Sequence, residues 1–147
     1  MKHSPHFPDC FHRIAIKGLC VRDGKLLLVR ESHELTGKWE LPGGGLDFGE
    51  DIRTGFEREI REEMGLTVKE MSKSPIYVWT CRHEWRRDLE WFYAFVVAYR
   101  VEFENLDFTP TKECEAIQFF SVEELRTIDL NGQTKEILRF FDLNDFK

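Results

Sequence analysis

With 147 residues, 41% hydrophobic and 33% charged, the chain has the size and balance of one globular domain with a substantial core. A net charge of −6 and a pI near 5.4 argue against a surface built to coat a nucleic-acid polymer. No stretch approaches the ~18 apolar residues of a membrane-spanning helix, so no membrane partner is expected.

The 13 phenylalanines point to a sheet-rich core with large side chains. Cys10, Cys20, Cys81 and Cys114 are widely spaced and form no C-x-x-C pair. The N-terminal "MKHSPHFPDC" has no apolar signal region, so the expectation is reduced, mostly buried thiols in a cytoplasmic protein. Residues 1–10 read as a polar arm, in which His3 and His6 are more simply unstructured than metal-binding. No repeat or linker divides the rest, and residues 1–147 read as one domain.

From Arg13, "RIAIKGLCV" and "KLLLVRE" are predicted strands joined at Asp23-Gly24, a strong hairpin signal. "SHELTGK" is a loop, "WEL" a short strand, and Pro42-Gly43-Gly44-Gly45 is expected to be irregular. A helix follows from about Asp51 to Met64, with Ile52, Phe56, Ile60 and Met64 as its apolar stripe and Gly65 as its left-handed cap. "PIYVWTCR" and "LEWFYAFVVAYRVEF" are strands around the charged turn "HEWRRD". "AIQFF" is a short strand, and Ser121 with Glu124 has the spacing of a capping box. A last amphipathic helix is predicted over roughly Asn131 to Asp142. The fold class is a mixed α/β domain with a largely hairpin-built sheet.

The segment "GGLDFGEDIRTGFEREIREEMGL" carries glutamate at 50, 57, 59, 62 and 63. At ~100° per residue, Glu59, Glu62 and Glu63 fall within an arc of about 100° beside the Ile60 stripe. Like charges three and four residues apart cost a few tenths of a kcal/mol per pair. Gly55 lies on the same face one turn earlier, and a mid-helix glycine costs ~1 kcal/mol against alanine. Something must need room beside the backbone there. A bound divalent cation would reverse the sign of the charge repulsion, and oxygen-only ligands favour Mg²⁺ or Mn²⁺. On the glutamates alone, a solvated face salt-bridged by Arg58 and Arg61 is the simpler alternative.

The rest of the segment overturns that alternative. It fills every specified position of the pattern G-x5-E-x7-R-E-U-x-E-E-x-G-U, where U is an apolar residue: Gly44, Glu50, Arg58, Glu59, Ile60, Glu62, Glu63, Gly65 and Leu66. Chance supplies such a match in roughly one window in a billion. The chain thus resembles the Nudix hydrolases, whose defining motif this is. "WELPGG" before the box and "FFSVEEL" after it extend the resemblance to about residues 13–130. The resemblance implies an α/β/α sandwich with a loop–helix–loop catalytic motif. The implied reaction is hydrolysis of a phosphoanhydride bond in a nucleoside diphosphate linked to another moiety.

It also implies roles residue by residue. Glu59, Glu62 and Glu63 are matched to the metal-binding carboxylates, the carbonyl of Gly43 to a further ligand, and Glu50 with Arg58 to a pair bracing the helix. Glu113, six residues before Phe119, is matched to a downstream loop carboxylate, with Glu115 as the alternative. Glu62, Glu63 or the loop glutamate can take the proton of the attacking water. Arg30, at a strand end, is a candidate phosphate contact or a surface residue. Trp39 and Phe48 flank the glycine loop and are candidates for stacking on a base, although core packing is the simpler expectation for both. His83, Trp85, Arg86 and Arg87 form a hairpin tip that can serve as a lid, as a homodimer contact or as a solvated turn. Asn131 can read a base edge or cap the last helix.

The region "TCRHEW" has neither the proline of the ADP-ribose branch nor the tyrosine of the dinucleoside polyphosphate branch, and the coenzyme A and NADH signatures are missing. A nucleoside triphosphate or a nucleotide sugar remains as substrate. A catalytically silent nucleotide sensor is another class of function, but its usual sign, a lost box carboxylate, is absent from the box. A third is a structural or interaction protein whose helix is merely charged, which predicts no metal binding.

Overall fold

A computed structural model describes residues 12–84 and 91–147, with the side chains of 83, 84, 91 and 92 excepted. The expectations placed on His3, His6, Cys10, the side chain of His83, Trp85, Arg86 and Arg87 fall outside this set.

Strand β1 (His12–Leu19) opens the chain, and β2 (Val21–Arg22) turns back into β3 (Lys25–Glu31). Asp23 and Gly24 both take positive φ, 50° and 73°, as a tight two-residue hairpin turn requires. Strands β4 (Trp39–Glu40) and β5 (Gly43–Gly45) lead into helix α1 (Ile52–Met64). Then come β6 (Val68–Met71), β7 (Tyr77–Glu84), β8 (Trp91–Phe103) and β9 (Cys114–Phe120). Two single-turn helices, α2 (Val122–Leu125) and α3 (Gly132–Lys135), and two 3₁₀ turns close the fold.

The strands form two sheets. In the first, β8 runs parallel to β1, in register from His12 opposite Tyr93 to Leu19 opposite Arg100, while β5, β6 and β7 pair antiparallel. In the second, β3 pairs antiparallel with β2, β4 and β9. The chain passes from the first sheet to the second at Cys20, whose carbonyl accepts from Leu27 N–H at 2.9 Å.

Helix α1 covers one side, burying Phe56, Ile60 and Met64 with Ile16, Leu27, Val29 and Val101. The C-terminal elements cover the other, where Leu125, Ile137 and Phe146 pack with Leu19, Leu26, Leu28 and Val96. The result is the expected mixed α/β sandwich between helical layers. Cys20, Cys81 and Cys114 are buried and unpaired, and burial pushes the Cys20 and Cys114 thiols up to about 12.

Several local expectations need correction. Gly43–Gly45 is a strand, paired with Ala15–Lys17, because backbone pairing needs no side chains and here excludes them. A Cβ on Gly43, where φ is +120°, would collide with the carbonyl oxygen of Ile16. The last helix is broken: α3 tightens into a 3₁₀ turn over Glu136–Arg139, with Phe140 N–H on Ile137 O, three residues back, at 3.0 Å. That tightening lets both Phe140 and Phe141 reach Tyr77, at 5.0 and 6.4 Å between ring centroids. Ile52 is 38% exposed, because the first turn of α1 does not share the burial of the rest of the stripe. Strand β6 was not anticipated; its four residues pair with the end of β8 around a bulge that blurs the alternation.

Candidate active site

Asp51 caps α1 through a bond from Thr54 N–H at 2.9 Å, and Gly65 ends it at φ 66°. Between these caps the helix presents its carboxylates to the β5 strand. Arg58 is the hub. Its Nε and Nη2 donate to the two oxygens of Glu50 at 2.7 and 2.8 Å, and Nη2 also donates to Gly45 O at 3.1 Å. Its Nη1 donates to Glu59 at 2.9 Å and to Glu62 at 3.2 Å. The Arg58 guanidinium, then the Asp47 N–H, hold the Glu50 carboxyl down at about 2. Gly55 makes room for this pair: a Cβ there would stand 3.0 Å from Glu50 Oε1 and 2.7 Å from Leu46 Cδ1.

Glu63 faces inward and is only 7% exposed. Its Oε1 has no hydrogen-bond partner among the described residues. Burial, then Glu40, Glu59 and Glu113, push its carboxyl well above the usual range, while Lys17 pulls the other way. Desolvation, then the nearby Glu59 and Glu62, raise the Glu113 carboxyl as well. Glu115 is drawn elsewhere: it pairs with His33 at 2.5 Å and Arg30 at 3.3 Å, and its carboxyl is lowered, chiefly by His33.

A cleft of about 230 Å³ opens beside these groups, lined by Glu59, Glu63, Gly43, Gly44 and Gly45 on one side. Arg13, Lys17, Glu40, Asn131 and Gln133 complete its polar lining. Each glycine of the run yields space to a different neighbour. A Cβ on Gly44 would lie 2.5 Å from Glu59 Cδ, and one on Gly45 would lie 2.7 Å from Arg13 Cζ. The carbonyl of Gly43 accepts from the buried Lys17 ammonium at 2.9 Å, which leaves its second lone pair.

The aromatic and basic candidates distribute differently. Arg30 lies over Trp39, 5.7 Å from the ring centroid, and pairs with Glu115; it does not line the cleft. Trp39 is half-buried and packs edge-on against Phe120 at 4.8 Å. Phe48 is fully exposed, against the core packing expected of it, because the Asp47–Glu50 turn with Gly49 at φ 85° swings it outward. Asn131 caps α3 through Thr134 N–H at 2.8 Å and also donates Nδ2 to Glu40. Lys17, Arg13, Glu40 and Gln133 were missed; a lysine inside an apolar strand, "IAIKGL", was the one visible signal.

Among the described residues, no three acidic, His or Cys side chains already converge as a cation site. Arg58 occupies one oxygen each of Glu59 and Glu62 and leaves the other. The donor set nevertheless fits a hard divalent cation: all oxygen, crowded with like charge, and including a buried carboxylate oxygen without a partner.

Comparison with known proteins decides the family. The family model described as "NUDIX domain" matches residues 11–141. The chain belongs to the Nudix hydrolase family. Among its relatives, the nucleoside triphosphatase NudI of Salmonella arizonae is 30% identical over 136 residues, covering 86% of this chain and 94% of that protein. A MutT-like protein of Streptomyces ambofaciens is 40% identical over 72 residues, which is 48% of this chain and 46% of the relative, less than half of its length. Among solved structures, the MutT NUDIX hydrolase from Burkholderia pseudomallei matches with a TM-score of 0.65 at 25% identity, covering 90% of this chain and 99% of that one. The MutT protein from Methanosarcina mazei Go1 shares the fold, with a TM-score of 0.71 at 20% identity over 96% of this chain and all of that one. The Nudix motif thus sits on the expected fold, and the chain is a pyrophosphohydrolase by family.

Proposed function

We propose that this Nudix hydrolase cleaves a phosphoanhydride bond of a nucleoside triphosphate and depends on Mg²⁺, or Mn²⁺ in its place. The observation that carries the reading is Glu63, a buried carboxylate with an unpartnered oxygen, surrounded by Glu40, Glu59 and Glu113. Such a cluster is costly unless something positive enters it. Glu59, Glu62, Glu63 and Glu113, with the Gly43 carbonyl, would hold the ion. The chemistry such an ion supplies is neutralisation of the diphosphate's charge and acidification of water. The protein's part is to orient and to move a proton. Arg58 fixes the rotamers of Glu59 and Glu62 from the Glu50 anchor, and a carboxylate among Glu62, Glu63 and Glu113 accepts the proton of the attacking water. The NudI relatives, matched over 94% of the Salmonella arizonae protein, support a triphosphate over a nucleotide sugar.

The test is a panel of nucleoside triphosphates and nucleotide sugars, assayed for phosphate and pyrophosphate release with Mg²⁺, with Mn²⁺ and with EDTA. Release from at least one triphosphate, abolished by EDTA, is expected. Turnover confined to nucleotide sugars would overturn the substrate assignment, and undiminished turnover in EDTA would overturn the metal.

A further inference from the structure

Resting on the hydrolase reading above, we propose that Arg13 and Lys17 are the side chains that grip the phosphate oxygens of the substrate. The cleft is otherwise acidic, with Glu40, Glu59 and Glu63 in its walls, whereas a di- or triphosphate is itself polyanionic. Arg30, the cation picked out by the sequence pattern, is held by Glu115 and Trp39 away from the cleft. Arg13 and Lys17 are the cationic side chains among the cleft's lining residues.

Their placement is built rather than incidental. Both lie on β1 and, four residues apart in a strand, point to the same face, with the small Ala15 between them leaving a hollow. The two Cα atoms are about 13 Å apart at strand spacing, a gap that two long side chains can close over a run of phosphates. Lys17 is 5% exposed, and its ammonium spends two of three N–H groups on Leu41 O at 3.2 Å and Gly43 O at 2.9 Å. Those bonds aim the ammonium at the cleft and leave a donor for a ligand oxygen. The Arg13 guanidinium occupies the space beside Gly45 that any side chain there would fill, so the glycine run keeps its planar fork across the cleft's rim. Because Lys17 also struts the Leu41–Gly43 corner, Arg13 gives the cleaner reading of direct phosphate contact.

Imidodiphosphate, whose P–N–P bridge resists hydrolysis, separates these roles. Its binding to the full chain is measured calorimetrically with saturating Mg²⁺, for wild type, Arg13→Gln, Lys17→Met and, as a control for charge at an exposed position, Lys25→Met. Arg13→Gln and Lys17→Met should each weaken binding by at least ~10-fold, the scale of a lost hydrogen bond to a charged group. Lys25→Met should stay near wild type. Arg13 is exposed, so its variant keeps the fold and decides the matter if Lys17→Met does not fold. Affinity within about twofold of wild type in Arg13→Gln, or in a folded Lys17→Met, would overturn the assignment. A wild type that binds imidodiphosphate yet hydrolyses no nucleotide would refute the hydrolase reading and leave this one standing.

Discussion

Arg58 grips Glu50 with two parallel hydrogen bonds, 2.7 and 2.8 Å, across the turn that carries the chain from β5 into α1. The fork-on-fork geometry fixes the guanidinium plane, and the remaining nitrogen then reaches Glu59 and Glu62. One side chain thereby ties the loop, the helix and two of the proposed cation-holding carboxylates together. Arg58→Ala should lower kcat/KM by at least ~10-fold and depress the melting temperature, since hydrogen bonds to charged groups are worth about 1.5–3 kcal/mol. Full activity in that variant would show that the carboxylates orient themselves.

The same pair makes stability depend on pH. The Glu50 carboxyl is lowered from 4.5 to about 2 in the folded protein. A lowered folded value means that Glu50 stabilises the fold fully above its unfolded pKa, and that this contribution is lost as pH falls from about 4.5 to about 2. Urea unfolding of wild type and Glu50→Gln should differ most at pH 5 to 7 and converge toward pH 2. A difference that stays constant over that range would rule out Glu50 as the source.

Gly44 separates folding from chemistry. Its φ is not in the left-handed region, so alanine meets no backbone strain there, but its Cβ would lie 2.5 Å from Glu59 Cδ. Gly44→Ala should fold and lose at least ~10-fold in kcat by displacing Glu59. Gly43→Ala, with φ +120° and the Ile16 carbonyl in the way, should fail to fold or melt far lower. Equal activity of Gly44→Ala and wild type would mean that Glu59 has room to retreat without cost.

Glu62 is 55% exposed, so its replacement opens no cavity in the core. Glu62→Gln should lower kcat by at least ~10²-fold, the low end for a positioned general base, with little change in melting temperature. Mg²⁺ or Mn²⁺ at millimolar concentration should raise the melting temperature of wild type by mass action, and should do so less in the variant. Wild-type turnover by Glu62→Gln at saturating metal would remove Glu62 from the machinery.

The features legible in the amino-acid order were local. The box, the Gly65 cap of α1, the capping box of α2 and the Asp23-Gly24 turn depend on residues close together in the chain. Helix and turn chemistry at fixed spacing therefore reveals them, whereas Asp51, the N-terminal cap of α1, reads in the sequence as its first helical residue. The family followed from that spacing too, because nine positions within one short segment had to be filled together. What surrounds the box depends on contacts between distant parts of the chain. Lys17 meets Gly43 across 26 positions and Asn131 meets Glu40 across 91, separations that no periodicity encodes. Arg30 looks like a phosphate contact and Phe48 like a core residue in one dimension, yet the fold holds the first over Trp39 and swings the second into solvent. The three glycines look like a break in structure and are a strand, because the groups that need their missing side chains, Ile16, Glu59 and Arg13, come from elsewhere in the chain.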